Sequence, residues 1–236
     1  MAKFLLEAKV LQSKGTAVGI TNSVHATLSD GTLTHDAHIQ TIDESKTSFQ
    51  TAAGTEINFR DTWKFNVAAY KLDRLLHLNM TPVSVERRSS SYTWWIDNAM
   101  MEIDRVKKKL SAPDSARWNN EMHVVRIFDQ LIFNTDRNLQ NLLIDKNWNI
   151  WMIDHTRAFR MATELKEPKN VERIDRQLLE DIKRLDQKTL TATLAPYVSA
   201  IEIKGILGRR DRIVKLIDDK VKRDGADKII YERAAR

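Results

Sequence analysis

Apolar and polar positions alternate in short runs at Ala8 to Leu11, Val24 to Leu28 and Leu33 to Ile42, the period of two that a half-buried strand produces. Asp30-Gly31 between the second and third runs predicts a hairpin, because glycine takes the positive φ of a tight turn. From Asp61 to Leu78 the period lengthens, and Phe65, Ala68, Ala69, Leu72, Leu75 and Leu76 recur as one helical stripe, with Asp61 or Thr62 placed to cap it. Met80 to Glu86 and Tyr92 to Ile96 return to extended spacing around the polar turn Arg88-Ser89-Ser90-Ser91. The front of the chain therefore reads β-β-β-α-β-β.

Past Asp97 the pattern is mostly helical. A Pro113-Asp114-Ser115 break precedes a helix from about Asn119 to Phe133, on which Met122, Val125, Phe128 and Ile132 share a side. Two short apolar runs, Leu142 to Ile144 and Ile150 to Ile153, flank the polar link Asp145 to Asn149 and predict a second hairpin. Beyond Arg160 the spacing of Leu178, Leu179, Ile182 and Leu185, then of Ile203, Ile206, Ile213 and Ile217, is helical again. A β-rich front and a helical back with no long linker make an α+β chain of two lobes packed together.

Composition narrows the chemistry. With no cysteine among 236 residues, disulfides, thiolate metal sites and cysteine nucleophiles are excluded, which leaves carboxylates, amides, histidines and hydroxyls. No run approaches the roughly 20 apolar residues of a membrane span, and Lys3 and Glu7 interrupt the start, so no membrane span and a cytoplasmic location are expected. The net charge of +6 suits a polyanion or a nucleotide. Its cations, however, are interleaved with acids, as in Lys183-Arg184-Leu185-Asp186 and Arg209-Arg210-Asp211-Arg212, the pattern of solvated helix faces rather than a nucleic-acid patch.

The segment that carries chemistry runs from Asn134 to His155. A hairpin there brings Asn141 and Asp154 side by side at its open end, and Asp136 lies on the loop leading in. One carboxylate with one amide oxygen suits Mg2+ and leaves room for phosphate oxygens and water. A separate carboxylate is needed to orient an attacking hydroxyl and take its proton. The D-x-x-x-x-N spacing followed by a later Asp matches the protein-kinase arrangement.

Asn134-Thr135-Asp136-Arg137-Asn138 through Asn141, then Trp151-Met152-Ile153-Asp154, resembles the catalytic and metal-binding loops of phosphoinositide 3- and 4-kinases and bacterial HipA-like kinases. Phe65 to Leu76 followed by Met80 to Val85 is similar to their helix C and next strand. The resemblance covers about the first 160 residues and implies a bilobal atypical-kinase fold, with an N-lobe at 1–97 and a helical C-lobe at 98–236. It implies ATP and Mg2+ as cofactors, Asp136 as catalytic base, Asn141 and Asp154 as metal ligands, and a hinge at Ile96 to Met100, including Asn98, that holds adenine.

Two positions depart from that family. Its strand lysine and helix glutamate correspond to Gln40 and Asn66, both neutral. Losing both charges keeps the site self-consistent, since no buried glutamate is left alone, and Gln40 still donates a hydrogen bond. A missing donor to transition-state charge costs roughly 3 kcal/mol. Lys14, in the small-residue loop Ser13 to Gly19 whose Gly15 and Gly19 permit close approach to phosphate, is the candidate substitute. His155 follows Asp154 and either positions a phosphate or is hydrogen-bonded structure, the commoner case. Of Trp94 and Trp95, on opposite faces of a strand, one is free to line an adenine pocket.

The sequence thus points to a kinase acting on a hydroxyl of a protein, lipid headgroup or small molecule, a soluble acceptor being preferred. A weak nucleotide-binding regulator or AMP transferase is the alternative, favoured by Gln40 and Asn66. A basic nucleic-acid-binding protein is the third reading.

Overall fold

The computed structural model of the chain describes residues 1–15, 23–51 and 54–234. Helix α1 (Ala2–Glu7) leads into β1 (Lys9–Gly15), β2 (Val24–Ser29) and β3 (Thr34–Gln40). Strands β4 (Asp43–Thr51) and β5 (Gly54–Thr62) form a hairpin of their own before helix α2 (Lys64–Leu75), and β6 (Ser84–Glu86) and β7 (Ser91–Trp94) follow. Five strands make one antiparallel sheet in the order β1-β2-β3-β7-β6.

The alternation seen in the sequence sorts this sheet into two faces. Ala26, Leu28, Ala37, Ile39 and Tyr92 bury one face under Phe4 and Leu5 of α1. The other is polar: Lys14 lies opposite His25, His25 opposite His38, and His38 opposite Thr93. Gln40, at the end of β3 on that face, reaches Asp154.

Three expectations change here. Helix α1 has only Phe4 and Leu5 to bury, too few apolar positions for a helical period to register. Lys14 and Gly15 belong to β1 rather than a loop, while Gly19 lies outside the described residues. Neither Asp61 nor Thr62 is the helix cap: Trp63 holds that position without a side-chain bond, and Thr62 Oγ1 accepts only the amide of Lys64, at 3.3 Å.

The chain then passes through β8 (Met100–Met101) and α3 (Glu102–Lys107) to α4 (Ser115–Ile132), which Asp114 caps by accepting the amide of Arg117 at 2.9 Å. The expected second hairpin is present as β9 (Leu142–Ile144) and β10 (Ile150–Met152), and β8 joins it as a third strand. Strand β11 (Ile174–Asp175), helices α5 (Arg176–Arg184), α6 (Gln187–Leu194), α7 (Ala200–Asp224) and α8 (Ala226–Ile229), and β12 (Ile230–Tyr231) complete the helical lobe.

One large core joins Phe65 and Leu72 of α2 to Phe128 and Leu131 of α4, Phe159, and the apolar sides of α5 to α7. The stripe expected on α2 is its upper wall. Asp73, fully buried on the same helix, accepts the amides of Met80 at 2.8 Å and Thr81 at 2.9 Å, and so fixes the turn into β6.

Helix α7 receives the segment after the β9–β10 hairpin through a groove made by glycine. A Cβ on Gly205 would lie 2.8 Å from the carbonyl oxygen of Arg160. Beside it the fully buried Arg209 donates to the carbonyls of Leu131 and Arg160, each at 2.8 Å, and to that of Ala162. Burial pushes the Arg209 guanidinium down to about 9. Helix propensity favours Ala over Gly by about 1 kcal/mol, but the clash is with backbone that Arg209 fixes. Gly205→Ala should therefore lose a net 1 to 3 kcal/mol, roughly, read as a lower midpoint in chemical denaturation.

Candidate active site

Helix α4 ends at Phe133, whose φ of 49° turns the chain back on itself. Asn134 closes the turn, its amide donating to the Asp129 carbonyl at 2.9 Å and its Nδ2 to Asp129 Oδ1 at 2.9 Å. The next polar residue to matter is Arg137. Its Nε and Nη2 reach the Asp129 carboxylate at 2.9 and 3.1 Å, and Nη1 donates to the carbonyls of Asn141 and Ile153. Nη2 also meets His155 Nε2 at 3.0 Å. One guanidinium thus ties the end of α4 to the start of β9 and the end of β10.

His155 is buried, and desolvation together with the Arg137 charge holds its pKa well below the usual imidazole value. It is therefore neutral and accepts from Arg137. Of the two roles open to it in the sequence, this is the structural one.

Arg137 brings three of the expected residues together. Asn141 Nδ2 donates to the carbonyl of Asp136 at 3.0 Å, leaving Oδ1 as the free end of the amide. Asp154 has a φ of 53°, a left-handed conformation uncommon outside glycine. Its Oδ1 accepts from Gln40 Nε2 at 3.3 Å and from the Thr156 hydroxyl at 3.2 Å. Asp136 is partly buried; desolvation raises its pKa, the nearby Asp154 raises it further, and Arg157 opposes both. A carboxylate, an amide oxygen and a second carboxylate form a hard-oxygen donor set that fits a divalent cation held with phosphate.

The neutral pair meets as the alignment required. Asn66 Nδ2 donates to Gln40 Oε1, and Asn66 Oδ1 accepts the amide of His155 at 2.8 Å. An amide relay thus runs from the His155 backbone through α2 and β3 back to Asp154. Of the remaining expected residues, Lys14 and Gly15 lie on exposed β1, while Ile96 and Asn98 sit in the link where the chain leaves the first sheet for β8. Trp94 stacks on His35 and meets Phe4 edge-on, whereas Trp95 stacks on His25, on the polar face.

Three residues were not singled out for the site from sequence. Asp61 is buried at the end of β5, where desolvation raises its pKa, and its partner is Thr156. Arg157 and Arg160 both pair with Glu56 of the β4–β5 hairpin and face the Phe59 ring. Beside them a cavity of about 600 Å³ opens between the hairpin, the segment after Asp154 and the start of α7, its walls including Lys46, Arg60, Thr135, Arg160, Ser199 and Glu202. Only the acid–base mixture at 56–61 hinted at this in the sequence.

Solved structures share this arrangement of lobes. Hydra Fam20 with sugar matches at a TM-score of 0.72 and 14% identity, over 98% of this chain and 91% of that one. The Golgi casein kinase matches at 0.68 and 12%, over 98% and 78%. The Golgi casein kinase with Mn/ADP bound matches at 0.70 and 12%, over 99% and 78%. The fold is that of an atypical kinase. No family model and no curated protein matches the chain.

At these identities the likeness concerns the fold. It supports the atypical-kinase type and not the finer assignment to phosphoinositide 3-/4-kinases or HipA-like kinases. The expected cytoplasmic location is corrected by the same matches, since two are of a Golgi enzyme. Among the described residues no helix is long and apolar enough to cross a membrane.

The raised pKa of Asp136 has a consequence for stability. The native state holds this proton more tightly than the unfolded chain does, so the contribution of Asp136 is present below the ordinary carboxylate range and lost as pH rises through its raised value. Asp136→Asn should raise the melting temperature at neutral pH, and the gain should vanish about one unit below the ordinary carboxylate pKa, as differential scanning calorimetry across pH would read.

Proposed function

We propose that this chain is a phosphotransferase of the atypical-kinase type that moves the γ-phosphoryl group of ATP to a hydroxyl acceptor. The observation that carries the reading is the convergence of Asp136, Asn141 and Asp154 around one guanidinium, below the amide of Gln40. Fold likeness to kinases, one of them with Mn/ADP bound, supports it.

In this reading residues 1–97 cover the nucleotide and 98–236 carry the catalytic and metal-binding loops. Asn141 Oδ1 and Asp154 would hold the divalent cation, magnesium in the first instance. When bound with ATP, that cation neutralises phosphate charge. Asp136 takes the proton of the acceptor hydroxyl; its raised pKa makes it a stronger base than an ordinary carboxylate, and the Arg157 charge favours its ionised form. Gln40 supplies a neutral donor where kinases place a lysine. Lys14, in cross-strand register with His25 and His38 on the polar face, supplies a cation toward the phosphates, and Gly15 lends close backbone approach. Ile96 and Asn98, in the link between the lobes, form the adenine hinge.

The acceptor enters the cavity beside Thr135, the residue before Asp136. Its walls mix hydroxyls with Arg–Glu pairs, such as Arg60 with Glu202, which suits a polar hydroxyl-bearing group on a protein or a sugar. A weak nucleotide-binding regulator or an AMP transferase is the second reading, and the uncharged Gln40–Asn66 relay favours it.

Incubation with γ-labelled and α-labelled ATP in parallel separates these: a kinase transfers only the γ label, an AMP transferase only the α label, and a regulator neither. In thermal-shift experiments, ATP at a hundredfold over Kd should stabilise the wild type by about 2.7 kcal/mol, in a magnesium-dependent manner. Asp154→Ala should abolish that magnesium dependence. Equal stabilisation of both proteins would remove Asp154 from the metal site.

A further inference from the structure

Asp61 ends β5, in the hairpin inserted between β3 and α2. It is 8% exposed, and its Oδ1 has no hydrogen-bond partner. The residue between it and the site is Thr156, whose hydroxyl donates to Asp154 Oδ1 at 3.2 Å and also lies against Asp61. A hydroxyl carries one hydrogen, so it cannot satisfy both carboxylates, and the two anions face each other across it. The backbone holds them there: the amide of Thr62 donates to the carbonyl of Thr156 at 2.9 Å.

The guanidinium groups of Arg157 and Arg160 act on Asp61 electrostatically, but both are paired with Glu56 and leave Asp61 Oδ1 without a hydrogen bond. Arg157 is engaged by Glu56 at 3.0 Å and stacked over Phe59 at 5.0 Å. Gln40 and Asn66, which also approach Asp154 and the loop behind it, are neutral. A buried carboxylate with an unmet oxygen is costly unless a cation joins it.

We propose that Asp61 is a further protein ligand of the divalent cation, acting with Asp154 and Asn141 directly or through one bound water. The assignment rests on the phosphotransferase reading of this site. It gives the inserted hairpin a task, since β5 carries a carboxylate from the first lobe to the metal. Among the described residues no three His, Cys, Asp or Glu side chains form a ready-made cage. Phosphate oxygens and water must therefore complete the shell, as a hard cation such as magnesium accepts, and metal affinity should depend on nucleotide.

Isothermal titration of ADP with and without Mn2+ tests this without recourse to activity. Asp61→Asn should weaken binding of the Mn–ADP complex about tenfold or more, the scale of lost metal support, while leaving metal-free ADP unchanged; Asp219→Asn, on the exposed side of α7, should change neither. Because the chain has no cysteine, Asp61→Cys offers a second readout on one introduced thiol. It should shift preference from Mn2+ to the thiophilic Cd2+, measured as the ratio of the two metal–ADP affinities. Full Mn–ADP affinity in Asp61→Asn, or an unshifted metal ratio in Asp61→Cys, would overturn the role of Asp61 alone. A wild type that binds no Mn–ADP would overturn the phosphotransferase reading and the ligand assignment together.

Discussion

The arrangement of the site depends on the Arg137 guanidinium. It is mostly buried, it is paired with Asp129 on α4, and its remaining donors go to two backbone carbonyls on either side of the β9–β10 hairpin and to a neutral imidazole. An arginine suits this post because its planar fork supplies five donors in fixed directions. Asp136 precedes it directly in sequence, and Asn141 and Asp154 are bound to the carbonyls it grips or adjoin them. The loop carrying Asp136 and the hairpin carrying Asn141 and Asp154 are thereby held at one mutual distance. The cost of burying this charge is offset by Asp129, and that pairing explains why the loop is anchored to the end of a helix rather than left to its own turns.

Around this anchor the site is less charged than the sequence motif alone implies. Where a kinase pairs a lysine with a glutamate, Gln40 and Asn66 bond through their amides, and Asn66 also accepts the amide of His155. Amide groups both donate and accept, so the relay closes on itself without a net charge. Its electrostatic effect on Asp154 is correspondingly weaker than that of a nearby cation. The positive field near Asp136 comes instead from Arg157, on the segment after Asp154, and to a lesser extent from Arg137.

Much of this was legible because it is written in local patterns. The α2 stripe, the β2–β3 hairpin and the Asp136, Asn141 and Asp154 spacing all lie within single elements or adjoining ones, where period and spacing translate directly into geometry. The meeting of Gln40 with Asn66 came from aligning the chain to a resembling family, and its register holds in the structure. The β4–β5 hairpin was not legible. Its strands are largely exposed, with Glu44, Lys46 and Ser48 on one side and little apolar contrast on the other, so no alternation marks them. Asp61 was read as a helix cap because it stands three residues before α2, but a β-strand carries it past the helix start into the interior. The long-range partners of Arg209 and Arg157 lie tens of residues away and leave no periodic trace at all.

Among the described residues Arg209 pairs with no carboxylate; its charge is met by carbonyls from the end of α4 and from the segment following Asp154, and by the Phe133 ring. Such solvation is collective. Releasing one carbonyl strands a cation away from water, so partial detachment is penalised more than either the docked or the fully opened arrangement. The strand of chain from Phe159 to Thr163 should consequently detach from α7 as one cooperative unit instead of fraying residue by residue. A protein built this way has a loop that is either in register with the Asp136 loop or released as a whole.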